Sequence, residues 1–338
     1  MMDMTGKDMR GDGKGKFIKD LRNGDMVEGS FAIRRKEAPK DYKSKPGKFF
    51  SMEIGDKTGD IGIKYWGRND PVRVLELYRG LNVGDIVELS GVVQEDRFEE
   101  KLIISIDEEN NFLRLSKKEV AIEDFMPVST ADLDKLFARI MDAVGSVKEP
   151  HLRALLDTFF KDEIFVKEFR RLPSAMVHHH NYLGGNLEHV VGVLEICEAM
   201  CKTYKELDRD LLVTGALLHD IGKMQTYKYS TFIDVTDEGK LLGHAVLGEK
   251  MLMERIERVK GFPRSLAMKL GHMVLKHMGN YEEVGVRGMH TAEALALHMA
   301  DNYDAQVKEV LQDVAKGRET EGGDWGYSKV LKGQVYLK

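Results

Sequence analysis

Apolar and polar residues alternate in short runs between residues 17 and 115, the period of strands buried on one face. Runs 26–33, 49–54, 61–66, 86–93 and 102–106 have this character, and Asp56-Lys57-Thr58-Gly59 supplies a turn between the second and third. Segment 71–78 interrupts them with helical spacing. Segment 34–48, with Pro39, Pro46 and Gly47, reads as a long hairpin loop. Beyond residue 130 the apolar period becomes that of helices, over 131–144, 150–160, 162–170, 186–205, 208–218, 244–258, 263–277 and 290–316. Ser129 or Thr130 stands where the first of these needs an N-cap. Residues 225–243 read as a loop with a short hairpin at 230–235, and 322–338 as an irregular tail with Trp325, Tyr327 and Tyr336.

Three strands, a short helix and two strands is the order of a five-stranded OB β-barrel, and an all-α helix bundle follows it. The expectation is therefore multidomain: a flexible arm at 1–16, an OB-fold nucleic-acid-binding domain at 17–115, a linker at 116–130, a helical domain at 131–320 and a C-terminal tail at 321–338. The 338 residues suffice for two sizeable cores. A formal net charge of -5 excludes a chain that is basic throughout, but the charge is uneven. Residues 34–48 hold seven Lys or Arg against Glu37 and Asp41, which suits a nucleic acid held at one place, and equally a solvated loop. Cys197 and Cys201, four apart on one helix face, read as small core residues and imply no disulfide framework, in keeping with a cytoplasmic protein. No apolar run reaches the ~18 residues of a membrane span, and no apolar leader is visible.

On the second and third strands Phe49, Phe50, Tyr65 and Trp66 lie beside Arg34, Arg35 and Lys48. Aromatic faces stack on bases for ~1–3 kcal/mol each, and Lys and Arg track phosphates. Alternation also sends about half of such side chains into a barrel core. Phe49 and Phe50 must face opposite ways, as must Tyr65 and Trp66, and the sequence does not say which of each pair faces out.

In the helical half, the apolar run 211–218 delivers an adjacent imidazole and carboxylate, His219 and Asp220, toward an interior. Burying both without partners costs several kcal/mol, and a divalent metal removes that penalty. His189 begins an apolar helix, His244 follows Gly243, His277 ends a helix, and Asp301 lies in another apolar segment. One such residue is an ordinary core histidine; six ligand-type residues on successive helices point to a metal centre.

The order H…HD…H…H…D, with Asp220-Ile221-Gly222-Lys223 in the HD-x-G-K form, resembles the HD-domain metal-dependent phosphohydrolases. The OB-then-HD order is similar to the YhaM-type 3′→5′ exoribonucleases, as are Glu123-Asp124-Phe125-Met126-Pro127, His179-His180-Asn181-Tyr182-Leu183-Gly184-Gly185 and Leu187-Glu188-His189. The resemblance covers residues 17–338. It implies hydrolysis of single-stranded RNA to 5′-mononucleotides, with DNA not distinguished. It assigns His189, His219, Asp220 and Asp301 to a first divalent ion, with Asp220 bridging to a second held by His244 and His277. Lys223, one turn beyond His219, would stabilise charge on the scissile phosphate, making Asp220 and Lys223 the catalytic pair. His-rich ligation favours Mn2+, with Fe2+, Co2+ and Ni2+ next and Mg2+ least. His179, His180 and Trp325 are candidate substrate contacts. Met278 stands where many two-metal relatives carry a second His, and Gly185 where three-metal relatives carry Glu, so two ions is the ceiling. An HD-type nucleotide or cyclic-nucleotide phosphohydrolase, and a non-catalytic single-strand-binding protein with a degenerate HD domain, remain as other readings. The sequence is compatible with a homo-oligomer and sets no subunit count.

Overall fold

The computed structural model describes residues 16–43, 45–67, 70–96, 101–107, 112–115, 122–176, 180–279, 288–320 and 323–338. His178 and His179 lie outside the described residues, as does the expected arm up to residue 15. The chain divides into two compact units. One runs to Pro127 and includes Tyr229–Phe232; the other is Val128–Lys228 with Ile233–Lys338.

The first unit is built on β1 (Met26–Lys36), β2 (Lys40–Asp41), β3 (Lys48–Asp56), β4 (Gly59–Trp66), helix α1 (Pro71–Gly80), β5 (Ile86–Glu95), β6 (Leu102–Ile106) and β7 (Phe112–Leu115). Strand β1 pairs antiparallel with both β3 and β5. Strand β3 pairs antiparallel with β4, β4 parallel with β6, and β6 antiparallel with β5, so five strands close on themselves. Closure removes the exposed edges that a five-stranded sheet would otherwise carry. A register shift between Ile33 and Arg35 bends β1 so that it can serve both neighbours. The core takes alternate residues: Phe50, Met52 and Ile54 from β3, and Ile61, Ile63 and Tyr65 from β4. Asp70 caps α1 by accepting from Val72 and Arg73 amides at 3.1 Å, with Pro71 at the first helical position.

Two expectations change here. Arg34, Arg35 and Lys36 extend β1, and Lys40–Asp41 adds to β3, so 34–48 is not one loop. The segment taken as a linker belongs in part to the barrel unit, because Phe125 is buried in a small cluster with Ala32 and Ile86.

The second unit holds α2 (Leu133–Ser146), α3 (Pro150–Phe160), α4 (Glu163–Arg171), α5 (Gly185–Thr203), α6 (Arg209–Leu218), α7 (Lys223–Thr226), strand β8 (Tyr227–Tyr229, its last residue grouped with the barrel) and β9 (Ile233–Val235). It continues with α8 (Asp237–Ile256), α9 (Arg264–Lys276), α10 (Ala292–Thr320), β10 (Trp325–Ser328) and β11 (Gly333–Tyr336). Helix α6 is buried all round: every residue from Leu211 to Leu218 is buried. A helix apolar on every side has no solvent face to keep, and α6 lies among α3, α5, α9 and α10. The cap of α2 is Asp132, not Ser129 or Thr130; its carboxylate accepts from Asp134 and Lys135 amides at 3.1 Å. Helix α8 begins at Asp237 under a Thr236 cap and breaks at Gly243, whose φ of 74° is open to glycine, before His244 resumes it. The tail is a hairpin, with Trp325 opposite Tyr336 and Gly326 opposite Val335. Among the described residues no helix is long and apolar enough to cross a membrane.

Candidate metal centre and barrel surface

His219 follows α6 directly, and its Nδ1 lies 2.8 Å from the carbonyl oxygen of Ala216. A carbonyl can only accept, so Nδ1 carries the proton and Nε2 keeps its lone pair. His277 repeats this at the end of α9, with Nδ1 2.6 Å from the Val274 carbonyl. His189, in the first turns of α5, is held instead by a carboxylate: its Nδ1 is 2.8 Å from Asp304 Oδ2. All three present Nε2 to one buried space.

Asp220 serves that space with both oxygens. Its Oδ2 lies 3.4 Å from His189 Nε2 and 3.3 Å from His219 Nε2. Asp301 Oδ1 completes this group, 3.1 Å from His189 Nε2 and 3.9 Å from His219 Nε2. The other oxygen, Oδ1, lies 3.6 Å from Nε2 of both His244 and His277, which are 3.2 Å from each other. The result is two ligand groups sharing one carboxylate: His189, His219 and Asp301 on one side, His244 and His277 on the other.

The donor set fits divalent cations. Atoms bound about 2.0–2.2 Å from one ion stand roughly 3.0–3.6 Å apart, close to the spacing in both groups, where the widest pair is His219 Nε2 and Asp301 Oδ1 at 3.9 Å. Asp220 Oδ1 is also buried without a hydrogen-bond partner, an arrangement that costs ~1–3 kcal/mol or more unless something binds there. Burial pushes His244 down to about 3 and also lowers His277, so both rings stay neutral as a metal ligand must be. Burial works against the Asp220 anion, but Lys223 and His219 outweigh it and hold the carboxyl well below its usual range. Burial likewise opposes the His189 cation, and Asp220, Asp301 and Asp304 together raise that ring well above its ordinary value.

Lys223 is buried, with Nζ 2.5 Å from Asp220 Oδ2 and 3.1 Å from Ser174 Oγ. Gly222 beside it allows a close approach: a Cβ there would sit 2.0 Å from the His244 carbonyl oxygen and 2.4 Å from the Gly248 nitrogen. A cavity of about 390 Å³ opens onto the site, lined by Asp220, Lys223, Tyr227, His298, Asn302 and Gln306 among others. Met278 lines it too, and His272 does not stand in for the absent histidine, since its ring accepts from the His290 amide at 3.0 Å.

Sequence reasoning missed Asp304. Besides orienting His189 it lies 3.3 Å from His180 Nε2, and His180 Nδ1 is 3.0 Å from the Tyr182 hydroxyl. The Tyr182 hydroxyl in turn donates to Glu188 at 3.1 Å. Gly192 makes room for this carboxylate, since a Cβ there would be 2.1 Å from Asp304 Oδ1. The available signal was spacing: Asp304 follows Asp301 by one helical turn and so shares its face. His180, expected to touch substrate, is corrected: it is 3% exposed and committed to this relay. Trp325 is 54% exposed on β10 and is not among the residues lining the cavity.

On the barrel, β3 and β4 settle the facing of the aromatics. Phe50 and Tyr65 point inward and stack on each other at 4.9 Å, so as core residues they have no face for a base. Phe49 and Trp66 point outward, 5.2 Å apart, and Tyr42, absent from the sequence reading, stacks against both at 5.4 and 6.1 Å. The Trp66 indole donates to Ser105 Oγ at 2.8 Å, fixing its ring. Arg34 is also corrected: it is tied to Asp60 at 3.1 Å and to the Phe125 carbonyl at 2.7 Å, a structural clamp within the barrel unit. Lys48 pairs with Asp41 at 2.7 Å, and Arg35 remains exposed beside Glu37 and Glu53. Phe49, Trp66 and Arg35 line a groove of about 800 Å³ whose four cations, Arg35, Lys40, Lys64 and Lys101, face four carboxylates, Glu37, Glu53, Asp60 and Asp96.

Comparison with known proteins agrees with this arrangement. The HD domain family model matches residues 186–306, the stretch that carries His189, His219, Asp220, His244, His277 and Asp301. A protein of Geobacillus sp. (strain WCH70) named 3'-5' exoribonuclease YhaM is 29% identical over 314 residues, covering 90% of this chain and 91% of that protein. The YhaM proteins of Bacillus subtilis (strain 168) and Bacillus velezensis are 28% and 27% identical, each covering 91% of this chain and 94% of the relative. The chain thus carries an HD domain match over residues 186–306 behind a closed OB-like barrel, and is similar along nine tenths of its length to the proteins named YhaM.

Proposed function

We propose that the chain is a divalent-metal-dependent 3′→5′ exoribonuclease that hydrolyses single-stranded RNA to 5′-mononucleotides. The observation that carries the reading is the Asp220 carboxylate, with one oxygen in each of two His-containing groups and the second left without a hydrogen bond. Its setting is a chain homologous over most of its length to proteins named exoribonuclease. His189, His219, Asp220 and Asp301 would hold one ion, and Asp220, His244 and His277 a second. Four imidazoles in the donor set favour Mn2+ over Mg2+. When bound, such a pair of ions supplies Lewis acidity and an activated water at neutral pH.

The chain's own residues do the rest. Lys223, at the cavity wall, places a cation where the phosphate must sit, and its bond to Ser174 aims it. Asn302 and Gln306 line the same cavity and offer amide groups to the terminal nucleotide. On the barrel, Tyr42, Phe49 and Trp66 form an outward platform on which bases stack, and Arg35 and Lys48 lie nearby for phosphates. With equal numbers of opposite charges in its groove, the barrel holds the strand by stacking more than by charge.

Single-stranded RNA and DNA of one sequence, labelled at either end and incubated with Mn2+ or with chelator, test polarity, sugar preference and metal need together. The expected result is stepwise shortening from the RNA 3′ end that chelator stops. Asp220→Ala should lose turnover and keep RNA binding; an active Asp220→Ala protein would remove the metal assignment.

A further inference from the structure

Strand β10 reverses the usual polarity of a half-buried strand. Antiparallel strands that lie on a helix normally turn apolar side chains inward and polar ones to water. Here the inward residues are Gly326, Ser328, Val335 and Leu337, all buried, with the hairpin lying on α10. The outward face is Trp325, Tyr327 and Tyr336, 54%, 61% and 52% exposed, with Gln334 opposite Tyr327. Trp325 and Tyr336 are cross-strand partners with rings 5.1 Å apart, so the face is preorganised.

Leaving three large rings in water carries a penalty that small polar residues would avoid, and the turn between the two strands carries lysines without carboxylates. From Trp325 to Lys338 the sequence holds Lys329, Lys332 and Lys338 and no Asp or Glu. Lys338 is paired with Asp324 at 2.8 Å. Lys329 and Lys332, at the hairpin turn, are exposed and make no ion pair among the described residues. The barrel groove, by contrast, balances its cations with carboxylates. Rigid aromatic faces adjoining a lysine-bearing turn match the recognition of a single-stranded polyanion whose bases are free to stack.

We infer that the outer face of the C-terminal hairpin, Trp325, Tyr327 and Tyr336 with Lys329 and Lys332, is a second contact surface for single-stranded RNA, separate from the barrel platform. It rests on the proposed function in taking RNA as the ligand. The surface is sequence-tolerant, since every base has a π-face. A chain with two such surfaces grips a long strand more tightly than a short one without any change at the metals.

The test uses the full chain and fluorescence anisotropy with two labelled RNAs, one shorter and one longer than the roughly 4–16 nucleotides that a single OB barrel covers. Phosphorothioate linkages at the 3′ end suppress hydrolysis. Trp325→Ala should raise the Kd for the longer RNA at least about fivefold, the loss of one stacked base. Trp325→Phe, which keeps a π-face, should recover most of it, and Trp325→Leu, which keeps only apolar area, should not. The double substitution Lys329→Gln and Lys332→Gln should flatten the salt dependence of binding by up to about 1.4 in log–log slope, at the ~0.7 per phosphate contact of single strands. Wild-type affinity in Trp325→Ala and in the double lysine variant overturns the inference while leaving the proposed function standing. Failure of the unmodified chain to bind either RNA overturns the proposed function itself. Loss of a larger assembly by light scattering in Trp325→Ala, with Leu tolerated, would show a face made for a second copy of the chain and likewise overturn the inference.

Discussion

Asp304 offers the sharpest test of how the metal centre is held. Asp304→Ala removes the oxygen 2.8 Å from His189 Nδ1 and 3.3 Å from His180 Nε2. His189 is wholly buried, and Asp304 partners its Nδ1. An unsatisfied buried N–H costs about 1–3 kcal/mol. The ring can lower that cost by turning, or by moving its proton to Nε2, the atom that faces His219, Asp220 and Asp301. Either change spoils a ligand without touching it. Carboxylates that orient a metal-binding histidine are worth about 10–100-fold in affinity. The loss should be confined to the group containing His189, because His277 keeps its own Val274 carbonyl partner. Equilibrium dialysis against Mn2+, with the protein's metal content measured, should show one site weakened about 10–100-fold and the other near wild type. Asp304→Asn, whose amide oxygen can still accept from Nδ1, should recover much of the loss. Circular dichroism would report whether the fold is intact. Wild-type affinity at both sites in a folded Asp304→Ala protein would refute the reasoning.

Three further outcomes follow from the same geometry. Gly222→Ala should cost about 3 kcal/mol or more of stability by thermal or urea melting, because its Cβ meets backbone atoms of His244 and Gly248 that cannot rotate away; an unchanged midpoint would show that α8 can shift freely. Phe50→Ala should destabilise the barrel by about 3–5 kcal/mol, whereas Phe49→Ala, at a half-buried ring, should cost clearly less and weaken RNA binding about fivefold or more. The opposite pattern would reverse their assignment to core and surface. Chelation should lower the melting midpoint in a metal-concentration-dependent way, since ions at 100 times their Kd stabilise by about 2.7 kcal/mol; a midpoint indifferent to chelator and added Mn2+ would count against bound ions.

Much of the architecture was legible because each half buries one face of a regular period. Strands β3 and β4 could be located from alternation, since a sheet with one covered face writes its register into the sequence. Which of Phe49 and Phe50 faces inward was not legible, because two adjacent aromatics satisfy either parity. The C-terminal hairpin was missed for a related reason. On β10 the inward side is Gly326 and Ser328 and the outward side Trp325 and Tyr327, so polarity alternates in the wrong sense for a half-buried strand. Of the candidate site, the residues that the structure brings together around Asp220 were also the ones the sequence singled out. Asp304 was not among them, because a carboxylate that acts through a hydrogen bond to a histidine has no motif of its own beyond sharing a helix face with Asp301.

His219 and His277 each stand at the first position after a helix, using Nδ1 to satisfy a carbonyl that the helix end leaves open. Each helix therefore works as a ruler as well as a support: its length decides where the imidazole comes to rest. One residue inserted or deleted within α6 or α9 would turn the terminal ring by roughly 100° and move it about 1.5 Å along the axis. Every residue named in the site would still be present, and the site would be gone. The count of residues in α6 and α9 is therefore a constraint of its own, beside the packing that fixes their composition.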